Sequence, residues 1–393
     1  METKNIMTEN EIIVEIEKSI TDNYDVFTSM GVVNGLAGVS LFYYYLGNKE
    51  LTISFIEKAI EGLNDSYQGT NIVEDIIDIG KLLNFYEEKG ILTSDDIDFY
   101  FENYDSVVEE LLMDSLKEDN LSPVSGILKY ANYFIYRTRY SNKDCSCLFS
   151  EVLDKIEKLS HNDVGTGGTY WISNVERDGR KLIELGIKHG VMGIVDHLVS
   201  LYKIGFQKER VLGLIVSGLK YTSSFKLENK KFLFPFCSDN VPEAQSSSFG
   251  ILYGDLGVAY GIYRAGLVCE IEEYKKLGTE TLMLSTKVKD DNNEFITDAN
   301  LFYGSLGIAS FMTFMKKQLQ VDFFDSTIDY WYNKTKEHKI HQGQWAGFDT
   351  TFNKFDINAQ LSFSHGIVGV GIALLNFEKQ LDFDFLKFVG YEF

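Results

Sequence analysis

The fold is decided by the stretch HGVMGIVDHLVSL (His189–Leu201), whose pattern of two glycines three residues apart returns along the chain. A glycine pair followed by an apolar run also begins at Gly35, Gly254, Gly304 and Gly366. Two weaker copies lie at SPVSGILKYANYFI, around residues 122–135, and at EDIIDIGKLLNFY, around residues 74–86. The seven copies begin 42 to 67 residues apart. That spacing accommodates two helices and their loops, so the chain is predicted to be a repeat protein.

The runs after the glycines are apolar on most sides, which is typical of helices that are buried all round. The stretches between them are amphipathic. In Ser94–Leu112, apolar residues recur at steps of three and four, and Ser94 is the predicted N-cap. Two further amphipathic stretches begin at Leu51 and Glu272. Seven buried helices that alternate with seven half-exposed ones predict an all-α fold, an α/α toroid with loop insertions, because an open stack would leave the buried row uncovered.

Glycine is abundant here, with 33 Gly beside only 3 Pro. We expect the glycines to let the turn before each buried helix adopt φ > 0 and to let neighbouring helices approach closely. No change in composition marks a second domain, so residues 1–393 are predicted to form one domain. Insertions are expected at about 142–180 and 226–250, where the sequence is mixed in character.

The charge balance of the chain is 37 − 58 = −21, which argues against a nucleic-acid surface. The four cysteines are too few and too scattered for a disulfide framework, so we expect a cytoplasmic protein. The N-terminus is acidic and does not resemble a signal peptide. Val26–Asn48 carries no charge and could reach across a bilayer, but its glycines and hydroxyl groups favour a buried helix.

Polar side chains precede the first glycine of six copies, where the buried helices begin. We call these the hub positions: Asn34, Ser122, His189, Tyr253, Tyr303 and His365. Helix N-termini that converge there would favour developing negative charge. The alternative for Asn34 and Ser122 is simple helix capping, and His189 has both a structural and a catalytic interpretation. The sequence contains no P-loop, dinucleotide fingerprint, nucleophile elbow or common zinc-ligand spacing.

The repeats, with HGVMG in the fourth, YGDLG (Tyr253–Gly257) in the fifth and YGSLG (Tyr303–Gly307) in the sixth, resemble the lanthionine synthetase C-like family. The resemblance covers nearly the whole chain. It implies an α/α toroid that adds a cysteine thiol to dehydroalanine or dehydrobutyrine, and so closes a thioether ring in a ribosomally made precursor peptide. It also implies two partners, the dehydrated precursor and a dehydratase.

Family members use zinc to lower the pKa of the thiol, and an acid to protonate the enolate that addition forms. The positions that match the zinc ligands hold Leu252, Phe302 and Tyr303 here, so we predict no metal and no other cofactor. A family arginine is replaced by Ser248. We assign Ser248 to substrate binding together with Asn34 and Asp255, although the place of Asp255 inside YGDLG also indicates a turn.

Other family positions are retained, and the resemblance assigns them to catalysis. His189 matches the acid or base of the His-Gly motif, and Asp119 matches an aspartate that assists it. Related cyclase domains that lack the zinc ligands are still associated with ring closure. The hypothesis is a metal-free cyclase in which His189 and Asp119 deprotonate the thiol and Tyr253 or Tyr303 supports the enolate, with His365 as a further candidate.

Two other functions remain open at this point. One is a pseudoenzyme that binds the precursor or the dehydratase without catalysis. The other is an α/α-toroid carbohydrate or isoprenoid enzyme, which needs paired carboxylates that the hub positions lack.

Overall fold

The computed structural model is mostly helical and describes residues 9–141, 143–228, 230–239, 249–340, 344–351 and 356–389. Its α-helices are α1 (Glu9–Asn23), α2 (Leu36–Leu46), α3 (Lys49–Glu61), α4 (Ile72–Glu88), α5 (Ser94–Ser115), α6 (Ile127–Ser141), α7 (Ser146–Lys158), α8 (Val191–Lys203), α9 (Lys208–Ser223), α10 (Asp255–Val268), α11 (Glu272–Ser285), α12 (Ser305–Leu319), α13 (Asp325–Glu337), α14 (Ile357–Leu361) and α15 (Ile367–Glu378). Short 3₁₀ turns cover Tyr24–Val26, Asp322–Phe324, Gln344–Gly347 and Asp384–Val389.

Four two-residue strands complete the regular structure: β1 (His161–Asn162), β2 (Thr169–Tyr170), β3 (Glu176–Arg177) and β4 (Arg180–Lys181). They form two antiparallel hairpins, with His161 opposite Tyr170 in the first and Arg177 opposite Arg180 in the second.

The chain divides into two compact units, which are described separately. The first unit combines the described parts of Met1–Ile97 and Asp290–Tyr391, and the second is Asp98–Lys289. Helices α1–α4 and α12–α15 belong to the first unit. Helices α6–α11, most of α5 and both hairpins belong to the second.

Buried and half-exposed helices alternate within each unit, as predicted. In the second unit, 11 of the 13 residues of α8 are buried, against 6 of 16 in the following helix α9. In the first unit, 9 of the 11 residues of α2 are buried, against 4 of 13 in α3. Five of the buried helices pack against the half-exposed helix that follows them, namely α2, α6, α8, α10 and α12. All seven apolar runs are helical, as α2, α4, α6, α8, α10, α12 and α15.

The motif glycines do not have the predicted backbone conformation. The first glycine of each pair is the N-cap of its helix and has a negative φ, for example −141° at Gly35 and −106° at Gly190. The prediction of φ > 0 is therefore wrong.

The glycines are instead required because the chain folds back tightly on itself. A Cβ on Gly193 would lie 2.1 Å from the carbonyl oxygen of Ile187, six residues earlier, and 2.9 Å from Pro123. The second glycine of four other pairs meets the carbonyl six residues earlier in the same way: Gly38, Gly257, Gly307 and Gly369. A contact shorter than 3 Å to backbone leaves no room for a side chain. The helix backbone at Gly193 thus closely approaches its own preceding turn at Ile187, as well as the neighbouring repeat copy at Pro123.

At four of the helices, a backbone hydrogen bond also closes the tight turn. The first helical amide donates to the carbonyl seven residues earlier, as Val191 N does to Glu184 O (2.9 Å) and Leu36 N does to Ser29 O (3.1 Å). The same bond occurs at Ile127 and Ser305. These amides are therefore engaged by the protein itself, which weakens the prediction that the helix N-termini serve developing negative charge.

Two local predictions differ from the structure and a third agrees with it. Ser94 is the first residue of α5 and not its cap, and the Asp96 carboxylate instead accepts hydrogen bonds from the amide (2.8 Å) and hydroxyl (2.7 Å) of Thr93. The segment 142–180 contains the helix α7 besides its hairpins, so it is not a loop throughout. In 226–250, the described residues form no helix or strand, which agrees with a loop. The one-domain prediction stays a prediction.

The uncharged stretch Val26–Asn48 contains α2, which begins at Leu36 after a glycine turn, as predicted. No helix in the described part of the chain is long and apolar enough to cross a membrane. All four cysteines are free thiols.

Candidate functional site

His189 is the half-buried centre of a polar cluster in the second unit. It lies in the turn before α8, with its Nδ1 3.3 Å from the hydroxyl oxygen of Ser122. The Ser122 oxygen also accepts hydrogen bonds from the amides of Val124 and Ser125, both at 3.2 Å. Because that oxygen already accepts hydrogen bonds from two amides, the Ser122 hydroxyl proton is directed at His189 Nδ1. Nδ1 is then the acceptor, and the ring proton of His189 is assigned to Nε2. Ser122 thus caps the turn that precedes α6 rather than the helix itself, and it also orients the histidine.

Two cations flank the aromatic ring next to His189. The Tyr253 ring lies 5.9 Å from the His189 ring, centroid to centroid. Lys188 Nζ is 5.3 Å from the centre of the Tyr253 ring, and the guanidinium carbon of Arg177 is 5.8 Å from it. Arg177 also stacks over Phe236, at 4.6 Å. The site therefore combines a histidine, a phenol and two positive charges.

Arg177 is fixed by a buried carboxylate. Its Nε lies 3.0 Å from Glu184 Oε1 and its Nη2 lies 3.4 Å from Oε2, and Glu184 is only 1 % exposed. The hydroxyl of Ser173 donates to the same carboxylate at 3.4 Å. A two-point contact of this kind fixes the plane of the guanidinium, which a lysine could not reproduce.

The surroundings keep the His189 imidazole neutral. Burial, followed by the charges of Lys188 and Arg177, lowers the pKa of His189 to about 4. At neutral pH the ring is therefore a weak base whose Nε2–H is available as a hydrogen-bond donor.

The second predicted histidine belongs to a separate cluster in the first unit. His365 Nδ1 lies 2.6 Å from the hydroxyl oxygen of Ser364, and that hydroxyl donates to Asn34 Oδ1 at 2.7 Å. The His365 ring lies 5.5 Å from the rings of both Phe302 and Tyr303. The structure thus brings together three of the predicted site residues, Asn34, Tyr303 and His365. Asn34 does not cap its helix, because the N-cap of α2 is Gly35.

The structure places two predicted carboxylates elsewhere. Asp119 forms an ion pair with Lys155 at 2.7 Å, and no hydrogen bond within the described residues joins it to His189. Asp255 is fully buried at the start of α10, and its carboxylate accepts hydrogen bonds from the backbone amides of Leu233 (2.7 Å) and Phe234 (2.8 Å). Burial raises the pKa of Asp255 to about 7. Its oxygens thus anchor a loop, which agrees with a turn rather than with substrate contact.

Ser248, the remaining predicted residue, lies outside the described part of the chain. Sequence reasoning missed Arg177, Glu184 and Ser364. Only the adjacent Ser-His pair, Ser364 and His365, could have been noticed from the sequence, because no spacing rule links Arg177 to Tyr253 across 76 residues (253 − 177).

The positions that correspond to zinc ligands in the resemblance do not fit the metal. Leu252 is a buried hydrocarbon side chain, and Phe302 and Tyr303 pack as rings against His365. Zinc in proteins prefers thiolate, imidazole and carboxylate ligands. Across the ranges that the structure describes, no three His, Cys, Asp or Glu side chains are grouped so that they could hold a metal ion.

Residues 236–389 match the family model described as "Lanthionine synthetase C-like protein". Over these residues, the resemblance to the lanthionine synthetase C-like family is confirmed. Among solved structures, the chain is similar to "Nisin cyclase", with a TM-score of 0.69 and 15 % identity over 97 % of this chain and 96 % of that one. At this identity the similarity shows the fold, which is the predicted α/α toroid. No curated protein matches the sequence.

The matched range decides which residues the lanthionine synthetase C-like resemblance supports directly. It includes Tyr253, Phe302, Tyr303 and His365, but His189 and Ser122 precede it. The assignment of His189 therefore depends on the repeat pattern and on its contacts with Tyr253 within the second unit.

Proposed function

We propose that this lanthionine synthetase C-like chain closes thioether rings in a dehydrated precursor peptide, and that it does so without zinc. The observation that carries the proposal is the cluster around Tyr253, where two cations and a neutral imidazole meet. Such a cluster can stabilise both anions of the reaction, the thiolate that attacks and the enolate that results.

The chemistry is the addition of a cysteine thiol to an activated alkene. The sulfur forms a bond to the β-carbon, the carbon–carbon π bond breaks, and the electron pair moves onto the carbonyl as an enolate. The α-carbon then takes a proton, so the net transfer is one proton from sulfur to carbon. A free thiol has a pKa near 8.5, and a cation within about 4–6 Å lowers such a value by about 1–3 units. We propose that Arg177 and Lys188 provide this effect.

His189 serves the second anion in this scheme. A base whose pKa is about 4 is too weak to remove a thiol proton efficiently, so direct deprotonation by His189 and Asp119 is not the mechanism that we favour. We propose instead that Nε2–H of His189 donates a hydrogen bond to the enolate oxygen, while Ser122 holds the ring in place. Tyr253 supplies the surface against which the reacting groups pack.

The test uses a purified protein and a peptide that carries one cysteine and one dehydroalanine. Ring closure leaves the mass unchanged but removes the free thiol, so alkylation followed by mass spectrometry reports it. We expect closure by the wild type, with His189→Ala and Arg177→Gln slower by about 10²-fold, the usual effect of one stabilising donor. His161→Ala is the matched control, because His161 is exposed and stacks on Tyr170 in its hairpin, away from the His189 cluster in sequence.

Metal analysis of the same preparation tests the zinc-free part of the proposal. Tightly bound stoichiometric zinc, or closure that stops after treatment with a chelator, would refute it. If His189→Ala closes rings as fast as the wild type, His189 is only a structural residue.

The alternative is a pseudoenzyme that binds the precursor or a dehydratase and catalyses nothing. The specific observation in its favour is that Asp119, a residue implied in catalysis by the resemblance, is paired with Lys155. Binding of the dehydrated peptide, with no loss of thiol in any variant, would establish this function instead.

A further inference from the structure

A lysine-lined cavity of about 930 Å³ lies in the second unit, and none of its lining residues takes part in the His189 cluster. Five lysines and a single carboxylate, that of Glu228, line it. The lysines are Lys226, Lys230, Lys231, Lys287 and Lys289. The lining thus carries 5 − 1 = +4 charges, in a chain whose net charge is −21.

Three of the five lysines are not paired with a carboxylate within the described residues. Elsewhere in the chain, lysines such as Lys155 form an ion pair with a carboxylate, in this case that of Asp119. By contrast, Lys226, Lys230 and Lys287 form no ion pair within the described ranges of the chain. Several unscreened positive charges in a concave surface raise the local concentration of anions.

The loop that carries Lys230 and Lys231 is closed at its base. Its ends are joined by the hydrogen bond from Leu227 N to Leu233 O, at 2.8 Å. Leu233 N is in turn held at 2.7 Å by the buried carboxylate of Asp255, at the start of α10. The loop is therefore anchored to a helix, and the lysines do not have to be ordered entirely by a ligand.

The remaining lining indicates what kind of anion fits. Leu227, Leu233, Leu284 and Val288 contribute apolar surface between the charges. A cavity of about 930 Å³ is much larger than one phosphate group, and apolar walls favour a ligand that has apolar side chains of its own. The lining includes no aromatic side chain, whereas single-stranded nucleic acids are held largely by stacking on aromatic rings.

We propose that this cavity binds an acidic peptide segment in which carboxylates alternate with aliphatic side chains. The carboxylates would pair with the lysines, and the aliphatic groups would pack on the leucines and the valine. The site is independent of ring closure. It gives the acidic chain one surface where an acidic partner is attracted rather than repelled.

The experiment measures fluorescence anisotropy of a labelled peptide in which Glu and Leu alternate, at low salt, with the full-length protein. We expect saturable binding that weakens as salt is raised. A peptide in which Gln and Leu alternate keeps the apolar groups without the charge, and should bind much more weakly. Equal binding of the Gln peptide, or no binding of the Glu peptide, would overturn the proposal.

The variants locate the site. The triple substitution of Lys226, Lys230 and Lys287 by Gln should weaken binding by about tenfold, since three exposed charge contacts are lost. The matched control carries the same charge change on three exposed lysines elsewhere, Lys49, Lys117 and Lys208, and should bind as the wild type does. Equal losses in both triple variants would show a nonspecific charge effect and refute the site.

Inorganic phosphate separates the proposed ligand from a small anion. It should compete only through ionic strength, as an equal ionic strength of sodium chloride does. If phosphate displaces the peptide specifically, the cavity is a phosphate site and the peptide proposal fails. Neither assay depends on thiol addition, so failure here leaves the proposed function untouched, and the reverse is also true.

Discussion

Replacement of Gly193 by alanine tests whether the motif glycines are required by sterics. Gly193 is the third residue of α8, and a Cβ there would lie 2.1 Å from the carbonyl oxygen of Ile187. Ordinary contact begins at 3.4 Å, so the turn would have to move by about 3.4 − 2.1 = 1.3 Å. Pro123, at 2.9 Å, obstructs a shift in another direction. We expect Gly193→Ala to lower the free energy of unfolding by about 3 kcal/mol, the upper range for overpacking in a core.

Gly213 provides the matched control on a neighbouring helix. It lies inside α9, and no heavy atom lies within 4 Å of the position that its Cβ would take. Gly213→Ala should therefore raise the free energy of unfolding by about 0.5–1 kcal/mol, because alanine favours the helix.

Urea unfolding followed by circular dichroism measures both variants against the wild type. The expected separation between the two alanine variants is about 4 kcal/mol. The reasoning fails if the two differ by less than about 1 kcal/mol, or if Gly213→Ala is the more damaging change. Because Ile187 precedes Lys188 and His189, Gly193→Ala should also slow ring closure in the thiol assay, whereas Gly213→Ala should not.

Three further outcomes follow from buried or exposed polar groups. Burial lowers the pKa of His197 to about 3, from 6.5 in the unfolded chain. The neutral ring therefore stabilises the fold above pH 6.5, and this stabilisation is lost as the pH falls. In urea titrations between pH 6.5 and 3, the wild type should lose about 1.4 kcal/mol of unfolding free energy per pH unit relative to His197→Phe. Asp196→Ala should cost about 3–5 kcal/mol in the same titrations, because it leaves the guanidinium of Arg264 buried without the carboxylate that now lies 2.7 Å away, whereas a double substitution of both residues by Leu should recover part of the loss. Of the four thiols only Cys147 is exposed, so a thiol reagent should label one cysteine in the native protein and four after unfolding; rapid native labelling of a second cysteine would contradict the structure.

The architecture was predictable because helix periodicity is a local property of the chain. An apolar run in each of the seven repeat copies indicated a buried helix, and all seven helices are present. The reason for the glycines was not predictable in the same way. Their φ angles and their contacts with carbonyls six residues away depend on how the turn closes, which residue spacing alone does not fix.

The candidate site was predictable only in part, because its contacts join distant segments. His189 and Tyr253 were found through equivalent places in two repeats, and their rings are neighbours. Arg177 lies in a short hairpin within a segment that has no periodic pattern, so nothing in the sequence connects it to that ring. Asp119 was assigned through the family resemblance alone, and its carboxylate forms an ion pair instead with Lys155 on α7.

The tight turn before each buried helix is held by backbone contacts and not by the side chain that precedes the first glycine. At α8, the essential contacts are the Val191 amide on the Glu184 carbonyl and the bare backbone of Gly193 against Ile187. The side chain before the first glycine takes no part in either contact. Asparagine, serine, histidine and tyrosine accordingly occupy this position before α2, α6, α8 and α12, while the same amide-to-carbonyl bond forms at all four helix starts. The side chain at this position can therefore vary without loss of the turn.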